Sequence, residues 1–520
     1  MLIKETWGNY LRGKFEENLD SLAIIDKSQN ERYTYGELMI KSESIEKAFI
    51  GYGVTRGTHV ALVLPGGAGW ITTFLALINI GAIAVCLNND TTDLEIRDRL
   101  LYSDSKIVIT DEETYGKIKL HEEEIGLDLA VIVGGKDRYS EGICCDLSSF
   151  IEQGSGITET EIASARAKVR YDDILTIQYT SGTTGTPKAV MSVHYKVLSN
   201  MKLNSEVFKY TKEDKILSSL PMYHVMGCFF GCLMIFMSGG CLVLGGKFKT
   251  SKIIEALIEE KCTSFHGVPT MYKLIMNKMG DRVFPDLNKG MIAGSYCDAE
   301  TMQAIITDMG IKNMFPSYGQ SEGCGYTQTS MEDSIEKIKT TVGRAIDGVE
   351  IKIVDDQLNT LAANTAGEIL VKSEYRMSGY YKDEAATNKG IIDGWIHTGD
   401  LGKLDEEGYL KITGRKKDII IRGGENISPA EIECILKQQS KIKDAVVVGI
   451  PDDVMGQEIA AFIIGSEEEK KVEEDLINEI AAYVAEHLPK HKQPRYIRLV
   501  DKFPLTGSGK IQKFKLVELI

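Results

Sequence analysis

The sequence predicts an α/β protein of about three folding units, and three observations carry that expectation. Up to about residue 340, short apolar, β-branched runs alternate with segments of helical spacing, which implies parallel sheets. Beyond it the texture shifts to short strands and tight turns, as in an antiparallel or barrel-like subdomain. From Pro429 onward a small α/β unit follows.

The elements support this in chain order. The run 60–64 precedes Pro65-Gly66-Gly67, a helical stretch follows, and Gly81 introduces the run 82–86, so this is strand, crossover helix, strand. Strands are expected at 106–110, 129–133, 241–244, 264–268 and 289–293, with helical spacing over 251–261. The uncharged stretches 60–89 and 221–246 have the length of a membrane span, but turns break both, so they read as buried α/β structure. Strands at 350–354, 367–371 and 408–412 mark the change of texture. A helix over 430–437, a strand over 444–449 and an acidic helix through 467–486 complete the chain.

Composition narrows the class. Hydrophobic residues make up 43% and charged residues 26% of the 520 residues, an ordinary globular balance that gives no support to disorder, collagen or coiled coil. Sixty Lys and Arg against 75 Asp and Glu leave a net charge of −15, the wrong sign for a broad nucleic-acid surface, so no nucleic-acid partner is expected. A polyanionic ligand must find a local electropositive pocket. Ten cysteines without a C-x-x-C pair read as reduced, mostly buried thiols. The charged N-terminus lacks an apolar signal core, and no transmembrane segment is expected, which points to a cytoplasmic enzyme.

The chemistry starts at Tyr179-Thr-Ser-Gly-Thr-Thr-Gly-Thr-Pro-Lys188, after the strand 174–178. Gly182 and Gly185 let the backbone approach an anion, Thr180, Ser181, Thr183 and Thr184 offer hydroxyl donors, and Lys188 supplies a cation. The segment is built to hold phosphate. Its spacing departs from the Walker pattern, and Ala189 stands where that pattern puts a hydroxyl for magnesium, which disfavours a P-loop NTPase.

Five further segments follow in order: Pro221-Met-Tyr-His-Val-Met-Gly227, Ser317-Tyr-Gly-Gln-Ser-Glu322, Trp395-Ile-His-Thr-Gly-Asp400, Gly414-Arg-Lys-Lys-Asp418 and Pro504-Leu-Thr-Gly-Ser-Gly-Lys510. With these six motifs the whole chain resembles the adenylate-forming superfamily of acyl- and aryl-CoA synthetases, adenylation domains and firefly luciferase. The resemblance implies an N-terminal adenylation domain over 1–414 with two sheet subdomains and a barrel-like portion. It further implies a hinge at 415–417 and a mobile C-terminal domain over 418–520. The implied cofactors and co-substrates are ATP, Mg2+ and coenzyme A. A small-molecule carboxylic acid would attack the α-phosphate of ATP, and a thiol would then take the acyl group from the adenylate.

The resemblance also implies residue roles. Lys510, Glu322 and His224 are the catalytic candidates. Besides the phosphate loop with Thr180, Ser181, Gly182, Thr183, Thr184, Gly185 and Lys188, nucleotide binding falls to Ser295, Tyr318, Gly319, Ser321, Asp400 and Arg415. Tyr318 would stack on adenine and Asp400 would hold the ribose hydroxyls, with Arg415 as a second ribose contact or, alternatively, a member of a local ion pair. Ser321 replaces the commoner Thr and keeps the hydroxyl. Glu322 and Thr183 would hold magnesium, a hard cation that prefers oxygen. Lys417 matches the hinge, with Lys416 expected to be solvated and indifferent to substitution. Gly423 and Gly424 match a backbone segment lining the pantetheine tunnel.

For the acyl pocket the implied residues are His224, Val225, Gly294, Tyr296 and Gly319, whereas Phe229, Phe230 and Met234 read as core. No Asp follows His224 closely, which favours a carboxylic acid without an α-amino group. Tyr296 and Cys297 depart from the small residues usual in that loop, and a bulky Tyr there would shorten the pocket or supply a hydroxyl. Free CoA is the favoured acceptor, with a carrier-protein pantetheine as the alternative and a catalytically silent AMP or acyl binder as the remote one. Lys247, Lys249 and Lys252 form a candidate patch for the CoA phosphates or, equally, a solvated helix start.

Overall fold

Strand–helix alternation closes into two large sheets in a computed structural model, which describes residues 2–135, 143–180, 188–466, 473–505 and 511–520. The first sheet has nine strands, in the order Arg344–Ala345, Cys324–Gln328, Asn313–Gln320, Lys289–Ile292, Ser264–Gly267, Lys215–Ser218, Cys241–Leu244, Leu22–Asp26 and Glu31–Thr34. Pairing from Asn313–Gln320 through Leu22–Asp26 is parallel, and the antiparallel strands lie at the edges. The second sheet has eight, in the order Gly379–Tyr380, Ala189–Val193, Ile174–Tyr179, Ile83–Cys86, His59–Val63, Ile107–Thr110, Leu129–Ile132 and Cys144–Asp146. Strands such as Ile83–Cys86 and Leu129–Ile132 are buried along their whole length, as a parallel sheet covered on both faces requires.

The run 60–89 folds as the two strands around the helix Ala68–Asn79, ten of whose twelve residues are buried. Asp26, fully buried, accepts from the Ala68 N–H at 2.9 Å and so caps this helix from the other sheet's strand. Among the described residues no helix is long and apolar enough to cross a membrane. All ten thiols are free and eight are buried, Cys434 being exposed.

The chain divides into two compact units, Met1–Glu350 with Lys372–Ile396 and Ile351–Val371 with His397–Ile520. The 415–417 boundary read from the sequence falls inside the second unit. The strand-rich part is a sheet of Val349–Val354, Gly367–Ser373, Trp395–Leu404 and Ile391–Ile392, with Leu410–Arg415 paired to Trp395–Leu404. That last strand starts two residues later than expected. The Asp405 carboxylate accepts from the Glu407 and Tyr409 N–H groups, and the resulting turn uses Gly408 in a left-handed conformation. The C-terminal sheet orders Glu425–Ile427, Ile420–Arg422, Gly456–Gly465 and Ile442–Asp452, and Tyr496–Leu499 runs parallel to Gly456–Gly465. The helices Pro429–Lys437 and Glu473–His487 bury Ile432, Leu436, Leu476, Ile480 and Val484 against it.

Candidate active site

The phosphate-loop motif emerges from a β-hairpin. Ile174–Tyr179 and Ala189–Val193 pair antiparallel with Tyr179 opposite Ala189, and the Thr180 N–H donates to the Lys188 carbonyl at 3.0 Å. The described flanks therefore clamp both ends of the loop onto an inner strand of the eight-stranded sheet. Ser181, Gly182, Thr183, Thr184 and Gly185 lie outside the described residues. Lys188 is half-buried, and its Nζ sits 4.7 Å from the centre of the Tyr380 ring.

The motif Ser317–Glu322 forms the end of the strand Asn313–Gln320 and its turn into Cys324–Gln328. Tyr318 pairs with Thr327, half-buried, with its ring edge-on to Tyr326 at 5.6 Å. Gly319 is obligatory here, because a Cβ would lie 1.9 Å from the Cys324 carbonyl oxygen. The turn Ser321-Glu322-Gly323 closes with the Gly323 N–H donating to the Gln320 carbonyl at 3.1 Å, and Cys324 then adopts φ 60°. Glu322 is fixed at both its backbone and its side chain. Its carbonyl accepts from the Met377 N–H at 2.7 Å, and its Oε1 accepts from the Tyr380 hydroxyl at 2.8 Å. Burial and the adjoining Glu322 charge push the Tyr380 phenol pKa up, so it stays a hydrogen-bond donor.

Tyr380 thus touches Glu322 with its hydroxyl and Lys188 with its ring, and the sequence reading did not include it. Its sequence signal is weak: one aromatic in the Gly379-Tyr-Tyr381 run, 58 residues from Glu322.

His224 lies in a turn after Pro221, with its N–H donating to the Pro221 carbonyl at 3.1 Å. The segment that follows is a π-helix, Met226–Leu233, continued by the α-helix Met234–Met237. The expected ordinary buried helix is therefore replaced by a wider one over its first eight residues. A Cβ at Gly227 would meet the Pro221 carbonyl at 2.2 Å, so the chain approaches itself too closely there for any side chain. Val225, Phe229, Phe230 and Met234 are buried, as the core reading expects of the last three. Gln178 is a further residue that sequence reasoning missed: it is buried, donates from Nε2 to the Tyr223 carbonyl at 3.2 Å, and ties the phosphate-loop strand to the His224 turn.

Gly294, at φ 87°, has its Cβ direction 3.4 Å from Met226 Sδ, which brings the 294–298 loop against the segment after His224. Ser295 is exposed, and Tyr296 is 59% exposed rather than sealed inside a pocket. Cys297 is mostly buried, its thiol pKa pushed up to about 12 by desolvation first and then by Asp298. Asp298 caps the helix Ala299–Thr307 and pairs with Lys273 at 3.1 Å.

In the second unit, Asp400 and Arg415 stand opposite one another on paired strands, with Arg415 Nε 3.2 Å from Asp400 Oδ1. The ion-pair alternative for Arg415 is thereby realised, and the pair holds a buried carboxylate in a fixed orientation. Lys417 is exposed in the 3-10 turn Lys416–Asp418. Lys416 is not indifferent, because its Nζ bridges Glu368 at 2.9 Å and Asp356 at 3.1 Å. Gly423 and Gly424, at φ 58° and 85°, make the two-residue hairpin turn between Ile420–Arg422 and Glu425–Ile427. A Cβ on Gly424 meets nothing within 4 Å, whereas one on Gly423 would strike Met455 Cε at 2.7 Å. Lys510 lies outside the described residues, between Leu505 and Ile511, which pair as an antiparallel bridge. Of the proposed CoA-phosphate lysines, Lys247 pairs with Asp90 at 3.0 Å.

The twin-sheet fold with a separate C-terminal sheet is that of the adenylate-forming enzymes. Models of the AMP-binding enzyme and of the AMP-binding enzyme C-terminal domain match residues 11–381 and 431–510. The chain belongs to the AMP-binding enzyme family. YngI of Bacillus subtilis (strain 168), provisionally an acyl-CoA synthetase, is 34% identical over 99% of this chain and 97% of its own. The mitochondrial medium-chain acyl-CoA ligase ACSF2 of Bos taurus is 30% identical over 99% of this chain and 88% of its own. Among solved structures, o-succinylbenzoate CoA synthetase (MenE) from Bacillus subtilis, in complex with the acyl-adenylate intermediate OSB-AMP, superposes with a TM-score of 0.83. It is 26% identical, with 99% of this chain and 98% of that one covered.

Proposed function

We propose that this protein is an ATP-dependent carboxylic acid:CoA ligase that works through an acyl-adenylate and releases AMP and pyrophosphate. The observation that supports this reading is the anchoring of Glu322 by Tyr380 beside Lys188, a carboxylate and a cation brought together next to the segment read as phosphate-binding. Little covalent chemistry is asked of the protein in such a reaction. Its work is to hold two anions in line and to stabilise the charge that develops.

In this reading Tyr318 stacks on adenine, Asp400 receives the ribose hydroxyls while Arg415 fixes its orientation, and the loop 181–187 with Thr180 and Lys188 cradles the phosphates. Ser321 and Ser295 border the nucleotide, and Lys510 brings an ammonium to the attacking carboxylate and the α-phosphate. His224, Val225, Gly294, Tyr296 and Gly319 border the acyl group. Lys417, within 415–417, is the hinge about which 418–520 turns relative to 1–414, and Gly423 and Gly424 line the pantetheine path.

Magnesium fits one carboxylate. Oε1 of Glu322 is engaged by Tyr380, the described residues contain no cluster of three metal-binding side chains, and Mg2+ is ordinarily held by one or two carboxylates with phosphate oxygens and water. Glu322, with Thr183, would hold it, and the ion would neutralise phosphate charge. A cytoplasmic location belongs to the same reading, because ten cysteines without a C-x-x-C pair match neither a disulfide scaffold nor a zinc site.

Exchange of labelled pyrophosphate into ATP, screened over aliphatic, aromatic and amino acids, tests the first half-reaction; CoA and pantetheinylated carrier protein are then offered to the best acid. A non-amino carboxylate should drive exchange and CoA should accept the acyl group. Persistent absence of exchange in folded, ATP-binding protein would sink the reading, and acyl transfer to carrier protein alone would replace CoA as acceptor.

A further inference from the structure

A recess of about 340 Å3 beside the strand Gly379–Tyr380 is lined by the polar side chains of Lys196, Arg376, Ser378, Thr387 and Asn388 together with the apolar Met377 and Ile391. Both of its charged lining residues are cations. Lys196 Nζ donates to the Arg376 carbonyl oxygen at 2.9 Å, which ties the ammonium to the segment that carries the guanidinium. Among the described residues neither cation has a carboxylate partner, although acids outnumber bases 75 to 60 in the chain. Burial first, and then the Arg376 charge, lower the Lys196 pKa to about 8. Two half-buried cations that destabilise one another without a counter-ion make a standing electrostatic cost, which a bound anion removes.

The remaining polar lining suits the same ligand. Thr387 is already committed, accepting from the Tyr380 N–H at 2.9 Å and donating to the Asp383 carbonyl at 2.8 Å. Ser378 and Asn388 are exposed and offer neutral donors. An arginine fork beside a lysine point charge matches a phosphoryl dianion better than a singly charged carboxylate. The recess is distinct from the nucleotide motifs but shares a strand of chain with them, since Met377 and Tyr380 hold Glu322.

We propose that Lys196 and Arg376 form a second anion site, which binds a phosphoryl dianion carried by free phosphate or pyrophosphate, or by the 3′-phosphate of CoA.

The test labels the lysines of the full chain with acetic anhydride at about pH 8, where an amine of ordinary pKa is mostly protonated, and reads Lys196 by peptide mass spectrometry. Inorganic phosphate should slow its labelling about fivefold, the effect at this pH of raising its pKa from about 8 by one unit, while chloride at equal ionic strength does not. The protection should vanish in Arg376→Gln and persist in Arg376→Lys. In Lys196→Met, with near-ultraviolet circular dichroism confirming the fold, one equivalent of the radiolabelled phosphate bound in equilibrium dialysis should be lost. Unchanged labelling with phosphate, or undiminished protection in Arg376→Gln, would overturn the site. Protection by CoA but not by 3′-dephospho-CoA assigns the dianion to CoA; protection by phosphate and pyrophosphate but not by CoA assigns it to the free ions.

Discussion

The Tyr380 hydroxyl donates to Glu322 Oε1 at 2.8 Å while its ring lies 4.7 Å from Lys188 Nζ, so one side chain touches both the carboxylate and the cation of the proposed site. A hydrogen bond to a charged group is worth roughly 1.5–3 kcal/mol. Tyr380→Phe should therefore lower pyrophosphate exchange by about ten- to a hundredfold, and should raise the magnesium concentration needed for half-maximal rate. An unchanged magnesium dependence with a normal rate would show that Glu322 needs no such anchor.

Lys510→Ala separates the two half-reactions. Loss of one electrostatic stabiliser should cut acyl-AMP formation by about 10²-fold or more, whereas thioester formation from supplied acyl-AMP should stay near normal. Equal losses in both steps would remove Lys510 from the proposed role.

At the hinge, Lys417→Pro fixes φ near −65° and should trap one orientation of the C-terminal residues. If the adenylating orientation is the one trapped, pyrophosphate exchange should survive and thioester formation collapse, with Lys417→Ala as the control that keeps both. Lys416→Ala cannot serve as that control, because it removes the bridge to Glu368 and Asp356. Wild-type rates in both steps for Lys417→Pro would place the hinge elsewhere.

Gly319→Ala is a test of geometry rather than chemistry. Its Cβ would stand 1.9 Å from the Cys324 carbonyl, so the hairpin that carries Tyr318 and Glu322 must open. Overpacking of this kind costs about 1–3 kcal/mol or more, readable as a lowered midpoint in urea, with loss of ATP binding at temperatures where the protein remains folded. Gly294→Ala, whose Cβ has 3.3 Å to Val268 and 3.4 Å to Met226, should be milder, the residual cost coming from φ 87°.

Two buried imidazoles set an acid limit. Desolvation lowers the His194 pKa to about 4 and the His266 pKa to about 3, against about 6.5 in the unfolded chain. The unfolded state then binds more protons below pH 6.5, so their contribution to stability is complete above that pH and is lost as pH falls through 6 and 5 towards 4. Each site adds a slope of up to about 1.4 kcal/mol per pH unit. Urea midpoints measured from pH 7 to 5 should fall accordingly, and a flat profile would mean that neither ring is held neutral in the folded state.

The sequence by itself determined the strands, the order of the motifs and the family. Local signals decide these: apolar period, glycine and proline at turns, and hydroxyls beside a lysine are legible without knowing what packs where. The strands around the helix Ala68–Asn79 and the ordinary helix Pro429–Lys437 accordingly fell within a residue or two of their expected places. Tertiary structure decided what depends on distant neighbours. Tyr380 meets Glu322 across 58 residues, Lys416 finds Glu368 across 48, Lys196 meets Arg376 across 180, and no periodicity encodes those meetings. The π-helix after His224 belongs to the same class, because its close packing of Gly227 on the Pro221 carbonyl is a property of the folded turn. Side-chain chemistry is written residue by residue along the chain, whereas which charges share a site, and which are left without a counter-ion, is fixed only when segments remote in sequence are packed against one another.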